Sequence, residues 1–186
     1  MPLPVAHALV GATAVAALRP SDQRGGWKWL ALGGFLGVAP DFDYALNWLR
    51  IPYGGWHHGF THSIPFAFLV GLVTIVILRQ RSVRSFIVFT AAYVSHTLLD
   101  FILTESRGVA LWWPFTNYRY KLRFPNPIDY TWDNHSFAQA VIDLLKISLF
   151  ELLLFAPVLL VVISVRQLVS KRSQTLKGRS RATGTD

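Results

Sequence analysis

Three histidines lie within six residues in the segment "GGWHHGFTHS", Gly54 to Ser63, directly before a long apolar run. Further along, the segment "SHTLLD" carries His96 and Asp100 four residues apart. Side chains at i and i+4 of a helix face the same way and can bind one ion together. A carboxylate inside an apolar run is costly unless it is compensated, and a metal ion would compensate it. Imidazole and carboxylate ligands suit zinc, and also manganese or iron.

A second pair of carboxylates, Asp41 and Asp43, follows a proline in the segment "APDFD". Alternating carboxylates in an extended loop can point at one ion or bridge two. His7, in the first apolar run, and His135, just before the last one, are weaker candidates. Each group has a structural alternative: a solvated loop for the aspartates, a His–Asp hydrogen bond between helices for "SHTLLD", and a core or interfacial position for His7.

The histidine-rich segment leads into a predicted helix. Ser63 suits the N-cap of that helix, which places His62 at its mouth. Gly59 breaks the chain before it, so that His57 or His58 can fold back toward His62. A lone histidine is usually structural, but three in six residues are poorly explained that way.

Hydrophobic helices must position these residues. The chain has 186 residues, is 52% hydrophobic, has a mean hydropathy of +0.36 and contains no Cys, which excludes disulfides and thiolate metal sites. Spanning a bilayer takes about 20 apolar residues. We expect the last three of five apolar runs to span, and the first two to be marginal. The predicted fold is an all-α, polytopic membrane bundle of about five helices, from the runs 3–18, 27–39, 64–78, 86–103 and 141–165.

The chain is predicted to form one membrane-embedded helical domain, residues 1–166, and a basic, disordered cytoplasmic tail, residues 167–186. Between the last two runs lies a long polar and aromatic loop, residues 107–137, and loops of that length are usually functional. Its basic residues can hold a phosphate or an anionic headgroup. The alternative is that they are solvated charges near lipid phosphates. These residues are Arg107, Arg119, Lys121 and Arg123.

The 18 Lys and Arg residues predict the orientation in the membrane. Most of them lie after the first run, after the third run and in the tail, and cytoplasmic loops collect basic residues. We therefore expect the N-terminus outside and the C-terminus in the cytoplasm, with all six histidines on the outer side. The formal charge of +8 is explained by orientation and by affinity for anionic lipid. No nucleic acid partner is expected, because no recognition motif accompanies the basic tail.

The order of five short motifs resembles a bacterial family. His7 with Gly11, "PDFD", "HHGFTHS", "SHTLLD", and Gly108 with "WWPF" are similar, over residues 4–115, to the membrane-bound metal-dependent hydrolases. These are the DUF457 or YdjM-like proteins, also described as LexA-binding inner-membrane-associated hydrolases. The resemblance implies a helical inner-membrane protein distantly similar to zinc-dependent phospholipase C and P1 nuclease. The ligand positions that it implies are His7, Asp41, His62, His96 and Asp100, followed by Asp43 and His57.

His58 departs from the family motif, which usually reads His-Arg-Gly-x-Thr-His-Ser, because it stands where Arg is expected. An imidazole there can meet a phosphate or add a ligand, so His58 joins Asp43 as a candidate catalytic residue. Asp43 or Asp41 can act as general base if it is not fully used as a ligand.

The expected activity is hydrolysis of a phosphoester, such as a phospholipid or a related headgroup substrate, at the periplasmic face. One or two ions, zinc or alternatively manganese or iron, would activate the water. No "HExxH" motif, Gly-rich phosphate loop or Gly-x-Ser-x-Gly elbow occurs, which argues against a zincin-type protease and an α/β-hydrolase. The alternative is a non-enzymatic membrane protein with a structural metal site, or a transporter of metal or lipid.

Overall fold

The computed structural model describes residues 4–20, 26–49, 57–103, 107–122 and 136–183. Within these ranges the regular secondary structure is helical, apart from an isolated antiparallel bridge between Val109 and Tyr120. This confirms the predicted all-α fold class. The helices are α1 Pro4–Leu18, α2 Gly26–Val38, the short α3 Tyr44–Trp48, α4 Ile64–Ile77, α5 Val83–Leu103 and α6 Phe137–Thr183, and two 3-10 segments cover Ala39–Asp43 and Phe60–His62.

Local signals place two of the candidate motifs at helix ends. The hydroxyl of Ser63 accepts a hydrogen bond from the backbone N–H of Phe66 at 3.2 Å, which confirms Ser63 as the N-cap of α4. At the end of α2, Pro40 enters the first turn of a 3-10 segment that carries Asp41 and Asp43. The acidic pair and the histidine segment therefore each adjoin the end of a helix.

Four helices, α1, α2, α4 and α5, form the packed bundle. The α1–α2 crossing is close because glycines face each other there. A Cβ atom at Gly11 would collide with the carbonyl oxygen of Gly33, and one at Gly37 with that of His7. Small residues at such crossings let two backbones approach, and here they bring His7 beside the end of α2. The buried apolar cluster consists of Val15, Leu36, Ala67, Val88, Phe89, Ala92 and Tyr93.

Helix α6 packs differently from the others. Among the described elements it contacts α1 alone, and between residues 137 and 172 its one buried side chain is Glu151. Glu151 contacts Ala6 at the start of α1, while Arg166 contacts Ala16 near the end of α1. The two helices therefore run in the same direction. Most of the remaining surface of α6 between residues 137 and 172 is apolar and faces outward.

The backbone of α6 is helical as far as Thr183. The sequence, by contrast, predicts a disordered tail from residue 167 onward. The division of the chain into a membrane domain and a tail stays a prediction.

In the described part of the chain, two helices are long and apolar enough to cross a membrane, Val83–Leu103 and the first part of α6, Phe137–Arg172. The run 64–78, predicted as a third span, is not among them. It forms a helix of 14 residues between the N-cap Ser63 and a turn at Leu78 and Arg79. At about 1.5 Å per residue it covers ~21 Å, less than the ~30 Å of a hydrocarbon core.

Candidate metal centre

The carboxylates and imidazoles predicted as ligands meet at one point in the fold. Four elements supply them: α1, the 3-10 segment after α2, the 3-10 segment before α4, and α5. One ligand atom from each of Asp41, His62, His96 and Asp100 lies within 4.8 Å of those of the other three. This group can hold a metal ion. His7 adjoins it, since its ring stacks on that of His96 with centroids 3.7 Å apart.

Asp100 lies in the middle of the cluster. Its Oδ2 is 3.1 Å from Nε2 of His96, 3.4 Å from Nε2 of His62 and 3.4 Å from Nε2 of His58. Its Oδ1 is 3.5 Å from Nε2 of His7. The one-turn spacing of His96 and Asp100 therefore places both side chains on the same side of α5, as the sequence predicts, and the two carboxylate oxygens face different imidazoles.

Several of these ligand atoms have no hydrogen bond. Both oxygens of Asp100, Oδ1 of Asp41 and both ring nitrogens of His7 are buried without a partner. Buried polar atoms in proteins nearly always have one. In addition, the Nε2 atoms of His62 and His96 face each other at 3.0 Å. A cation among these atoms would satisfy the acceptors together, so the residues fit a divalent metal.

A backbone carbonyl on the side away from Asp100 orients the ring of His96. Its Nδ1 lies 2.7 Å from the carbonyl oxygen of Gly37. A carbonyl only accepts, so Nδ1–H donates, and Nε2 is the ring nitrogen that faces Asp100 and is left to bind a metal. Imidazoles that bind metals usually hold their other N–H in this way. The close α1–α2 crossing thus also supplies the carbonyl that sets the tautomer of His96.

Asp43 performs a similar task for the histidine segment. Its Oδ1 accepts from Nδ1 of His57 at 3.0 Å, and its Oδ2 accepts from the hydroxyl of Thr61 at 2.7 Å. Oδ2 also lies 3.4 Å from Nδ1 of His62. Both oxygens of this buried carboxylate are engaged. The geometry favours an orienting role for Asp43. The general-base role that the sequence suggests for it stays a prediction.

His57 and His58 form a second group with His62, again with one ligand atom each within 4.8 Å. His58 is buried and adopts a left-handed φ of 59°, which turns the chain back toward α4. Its carbonyl accepts from the N–H of Ala110 at 3.0 Å. Since its ring faces Asp100, the geometry favours an additional ligand over a phosphate contact for this position.

Arg119 supports the same turn. Its Nη1 donates to the carbonyl oxygens of His57, His58 and Gly108 at 3.4, 3.3 and 3.2 Å. This guanidinium therefore helps to hold the backbone of the histidine segment, a contact that the sequence alone does not suggest.

The other predicted residues are less well placed or undescribed. Arg107 is exposed and Lys121 is half-buried. Arg123 and His135 lie outside the described residues. The substrate-binding role of the basic residues stays a prediction.

The cluster is closed on most sides. The side chains of His7, His62, His96 and Asp100 are 0% exposed. By contrast, Asp41 is 11% exposed and His57 is 17% exposed. These two side chains, whose Oδ1 and Nδ1 atoms are 3.9 Å apart, form the accessible side of the centre.

The charges of the loop residues depend on one another. Burial would raise the pKa of Asp41, but the imidazoles of His62 and His96 hold it well below its usual range. Burial also opposes ionisation of Asp43, and its histidine partners likewise lower its pKa. Burial alone would lower the pKa of His62, whereas its contacts with Asp100, Asp41 and Asp43 raise it to about 10. The centre therefore attracts positive charge, either a proton or a metal ion.

Sequence reasoning missed Glu151 of α6. This carboxylate is 1% exposed and accepts a hydrogen bond from the N–H of Ala6 at 3.0 Å, next to His7. An anion at the first turn of a helix also complements the helix dipole. The available signal was a carboxylate within the longest apolar run, because such a residue is costly unless it is paired.

A family model described as "YdjM inner membrane protein" matches residues 1–171. The chain belongs to the YdjM family. Inner membrane protein YbcI of Escherichia coli (strain K12) is 35% identical over 99 residues, which cover 50% of this chain and 57% of YbcI. No solved structure matches the chain significantly. Membership in the YdjM family confirms the resemblance seen in the motifs and places the protein among inner membrane proteins; neither name states an activity.

Proposed function

We propose that this YdjM-family protein is a membrane-bound metal-dependent hydrolase that cleaves a phosphoester, such as a phospholipid or a related headgroup compound. The observation that carries the proposal is the accessible side of a buried metal centre, formed by Asp41 and His57. A catalytic metal site keeps an open coordination position, whereas a structural site is closed by protein ligands. The donors here also exceed the four that close a structural zinc site.

A divalent metal held in this centre would lower the pKa of a bound water to about 7 and neutralise charge on a phosphoryl oxygen. The chain's own residues orient the reaction. Asp41, which carries an unbonded oxygen, lies on the side where substrate enters. His57 stands on the same side, and its hydrogen bond to Asp43 holds the ring in place to take or give a proton.

The ligand set supports one or two ions. The two groups of donors share His62, and the two oxygens of Asp100 face different imidazoles. Mixed imidazole and carboxylate ligands favour zinc, with manganese or iron as alternatives. The further analogy to zinc-dependent phospholipase C is part of this proposal and rests on the shared type of ligands.

We infer the orientation in the membrane from the two ends of the bundle. The metal centre includes His7 near the start of α1, while Arg84 and Arg166 contact the end of α1. Basic residues collect on the cytoplasmic side, so the metal centre belongs on the periplasmic side and the C-terminus in the cytoplasm. A reporter fused after Arg181 should be active only if it is a cytoplasmic reporter. Activity of a periplasmic reporter there would reverse this orientation.

The activity is tested with purified full-length protein loaded with zinc or manganese. We expect metal-dependent cleavage of phospholipids or phosphomonoester surrogates, and its loss in His96→Ala. Arg81→Ala is the matched control, because Arg81 is exposed in the turn before α5, at the opposite end of that helix from His96. It should retain activity.

The alternative is a structural metal site, or transport of a metal or a lipid. If the protein binds metal stoichiometrically, but a broad panel of phosphoesters and other hydrolase substrates shows no metal-dependent turnover, that alternative replaces the proposal. Failure of the wild-type protein to bind metal at all would contradict the proposal, the structural metal site and metal transport together.

A further inference from the structure

A second cluster of charged side chains lies at the other end of α1. Nη1 of Arg166 donates to the carbonyl oxygens of Ala16 and Ala17 at 2.6 and 2.9 Å. Arg84 donates from Nε to a neighbouring carbonyl of the same helix end at 3.1 Å. Arg19 follows directly, and Arg166 lies within range of repulsion from it. Cations suit the C-terminus of a helix. The contacts of Arg84 and Arg166 with the end of α1 use only some of the N–H donors of these guanidinium groups.

A pocket of about 440 Å³ opens beside these arginines, between α1, α2 and α6. Its volume falls in the range of roughly 300–1,000 Å³ that is usual for ligand sites. One part of its wall is cationic, with Arg19, Arg166 and Lys171, and another is apolar, with Trp27 and Ile163. No acidic side chain occurs among the described residues that line it. The remaining lining residues are Ala16, Gly26, Leu30, Gln167 and Ser170.

Arg19 has an unsatisfied donor beside this pocket. Its Nη1 is buried and has no hydrogen-bond partner. The guanidinium lies over Gly26, where an added Cβ would come within 2.9 Å of both terminal nitrogens. Gly26 begins α2, whose first N–H groups lack partners within the helix and whose first turn carries no acidic residue. A buried donor without an acceptor is unfavourable, and the positive charge of Arg19 and Arg166 on this wall would stabilise an anion in the pocket.

We propose that this pocket binds the phosphate-bearing headgroup of an anionic phospholipid. Guanidinium groups match phosphate oxygens in charge and in geometry. The apolar wall and Trp27 suit the glycerol and upper acyl region of a lipid. The pocket also lies at headgroup depth, because the apolar run of α6 ends at Val165 and Arg166 follows it.

The site is distinct from the metal centre. His7 and Arg19 are separated by 12 residues of α1 and its end, about 18 Å at the rise of a helix. The proposal therefore does not depend on the hydrolase activity. It places a lipid in the leaflet opposite to the one that the metal centre faces.

Native mass spectrometry of the full-length protein in detergent tests the proposal, with phosphatidylglycerol, phosphatidylcholine and inorganic phosphate as probes. We expect one tightly retained phosphatidylglycerol, little phosphatidylcholine, and an affinity for phosphatidylglycerol about tenfold or more lower in Arg19→Ala, as loss of a charged hydrogen bond implies. Arg81→Ala removes an equal charge from an exposed turn and does not line the pocket. Its affinity should remain within about twofold of wild type.

A second pair of variants separates a pocket from a general basic surface. Ser170→Trp fills the pocket without changing any charge, and Ser170→Ala is its control. We expect Ser170→Trp to lose the retained lipid and Ser170→Ala to keep it, while both keep the melting temperature and metal content of the wild type. Retention of phosphatidylglycerol by Ser170→Trp, or equal losses in Arg19→Ala and Arg81→Ala, would overturn the proposal. Displacement of the lipid by inorganic phosphate at comparable concentration would also overturn it, because the ligand would then be a soluble phosphate.

Discussion

The two ends of α1 present buried polar atoms of opposite kinds. Near its start, oxygens of Asp100 and Asp41 and the nitrogens of His7 lack hydrogen bonds. Just beyond its end, the unsatisfied atom is a donor, Nη1 of Arg19. One end therefore favours a cation and the other an anion. The same fold produces both preferences, because helix packing buries these polar atoms without giving them hydrogen-bond partners.

The two sites also differ in how they are built. The candidate metal centre draws its imidazoles and carboxylates from four elements, and most of its side chains are fully buried. At the other end, the side chains of Arg19 and Arg166 are half-exposed, and Arg166 donates hydrogen bonds to carbonyl oxygens of α1. An uncompensated buried charge is costly, whereas exposed charges contribute little. Single substitutions should therefore have much larger effects at the metal centre.

Asp100→Asn should have the largest effect. It removes the negative charge that four imidazoles surround, so we expect metal affinity to fall by more than about 100-fold. Metal content after dialysis measures this directly. In the wild type, removal of metal by a chelator should lower the melting temperature, while Asp100→Asn should not respond. Phosphatidylglycerol binding at the arginine end should be unchanged; stoichiometric metal in the variant would contradict the central role of Asp100.

Asp43→Asn should have a smaller effect on the same property. Asp43 accepts hydrogen bonds from His57 and Thr61, and loss of such partners of metal ligands typically lowers metal affinity about 10–100-fold. Competition with a chromogenic chelator provides the measurement. Asp143→Asn is the control, because Asp143 pairs with Lys146 on α6. If Asp43→Asn removes metal as completely as Asp100→Asn, then Asp43 is itself a ligand.

Gly37→Ala should destabilise the bundle and weaken the metal centre together. The added methyl group would meet the backbone of α1 at His7 and Gly11. Overpacking of this kind costs about 1–3 kcal/mol, and it would shift the carbonyl that orients His96. Thermal melting and metal affinity are the two measurements. Gly34→Ala is the control, since its nearest contact would be 3.3 Å away. Equal destabilisation by both variants would show that the crossing is not specific to Gly37.

Arg84→Ala should have the smallest effect. Arg84 is exposed and contributes one hydrogen bond to Leu18 at the end of α1. Charges at a helix end contribute about 0.3–1 kcal/mol, so we expect a slight loss of thermal stability. Because Arg84 does not line the pocket, lipid and metal binding should not change. A large loss of stability would mean that contacts at the arginine end of α1 contribute as much to the stability of the fold as those at the metal centre.

Much of the candidate site was predictable because it depends on local geometry. The spacing of His96 and Asp100 on one helix predicts a shared face, and Ser63 predicts the start of α4. Both follow from the dihedral angles of a few neighbouring residues. The span expected for residues 64–78 stays a prediction, because a cap and a turn limit that helix to 14 residues, which hydropathy does not reveal.

Other roles were not predictable in this way. The sequence does not distinguish the roles of Asp41 and Asp43. In the structure, Asp43 orients its neighbours with both oxygens, whereas Oδ1 of Asp41 has no hydrogen bond and faces the candidate ion site. The phosphate-binding role of Arg119 stays a prediction, and its contacts with three backbone carbonyls could not be foreseen from the sequence. Glu151 reaches α1 from a position 145 residues away. These distinctions depend on which atoms meet across elements.

The sequence by itself determined the chemical types at the site, the helical fold class, the family and the separation of basic from histidine-rich segments. The family resemblance had already named His7, Asp41, His62, His96 and Asp100 as ligand positions, but the tertiary structure alone brings their side chains together and places Arg19 and Arg166 along one pocket. The physical reason is range. Helix propensity, capping and hydropathy act over a few residues, whereas the convergence of side chains depends on how closely helices cross, and glycines that remove a few atoms set that distance.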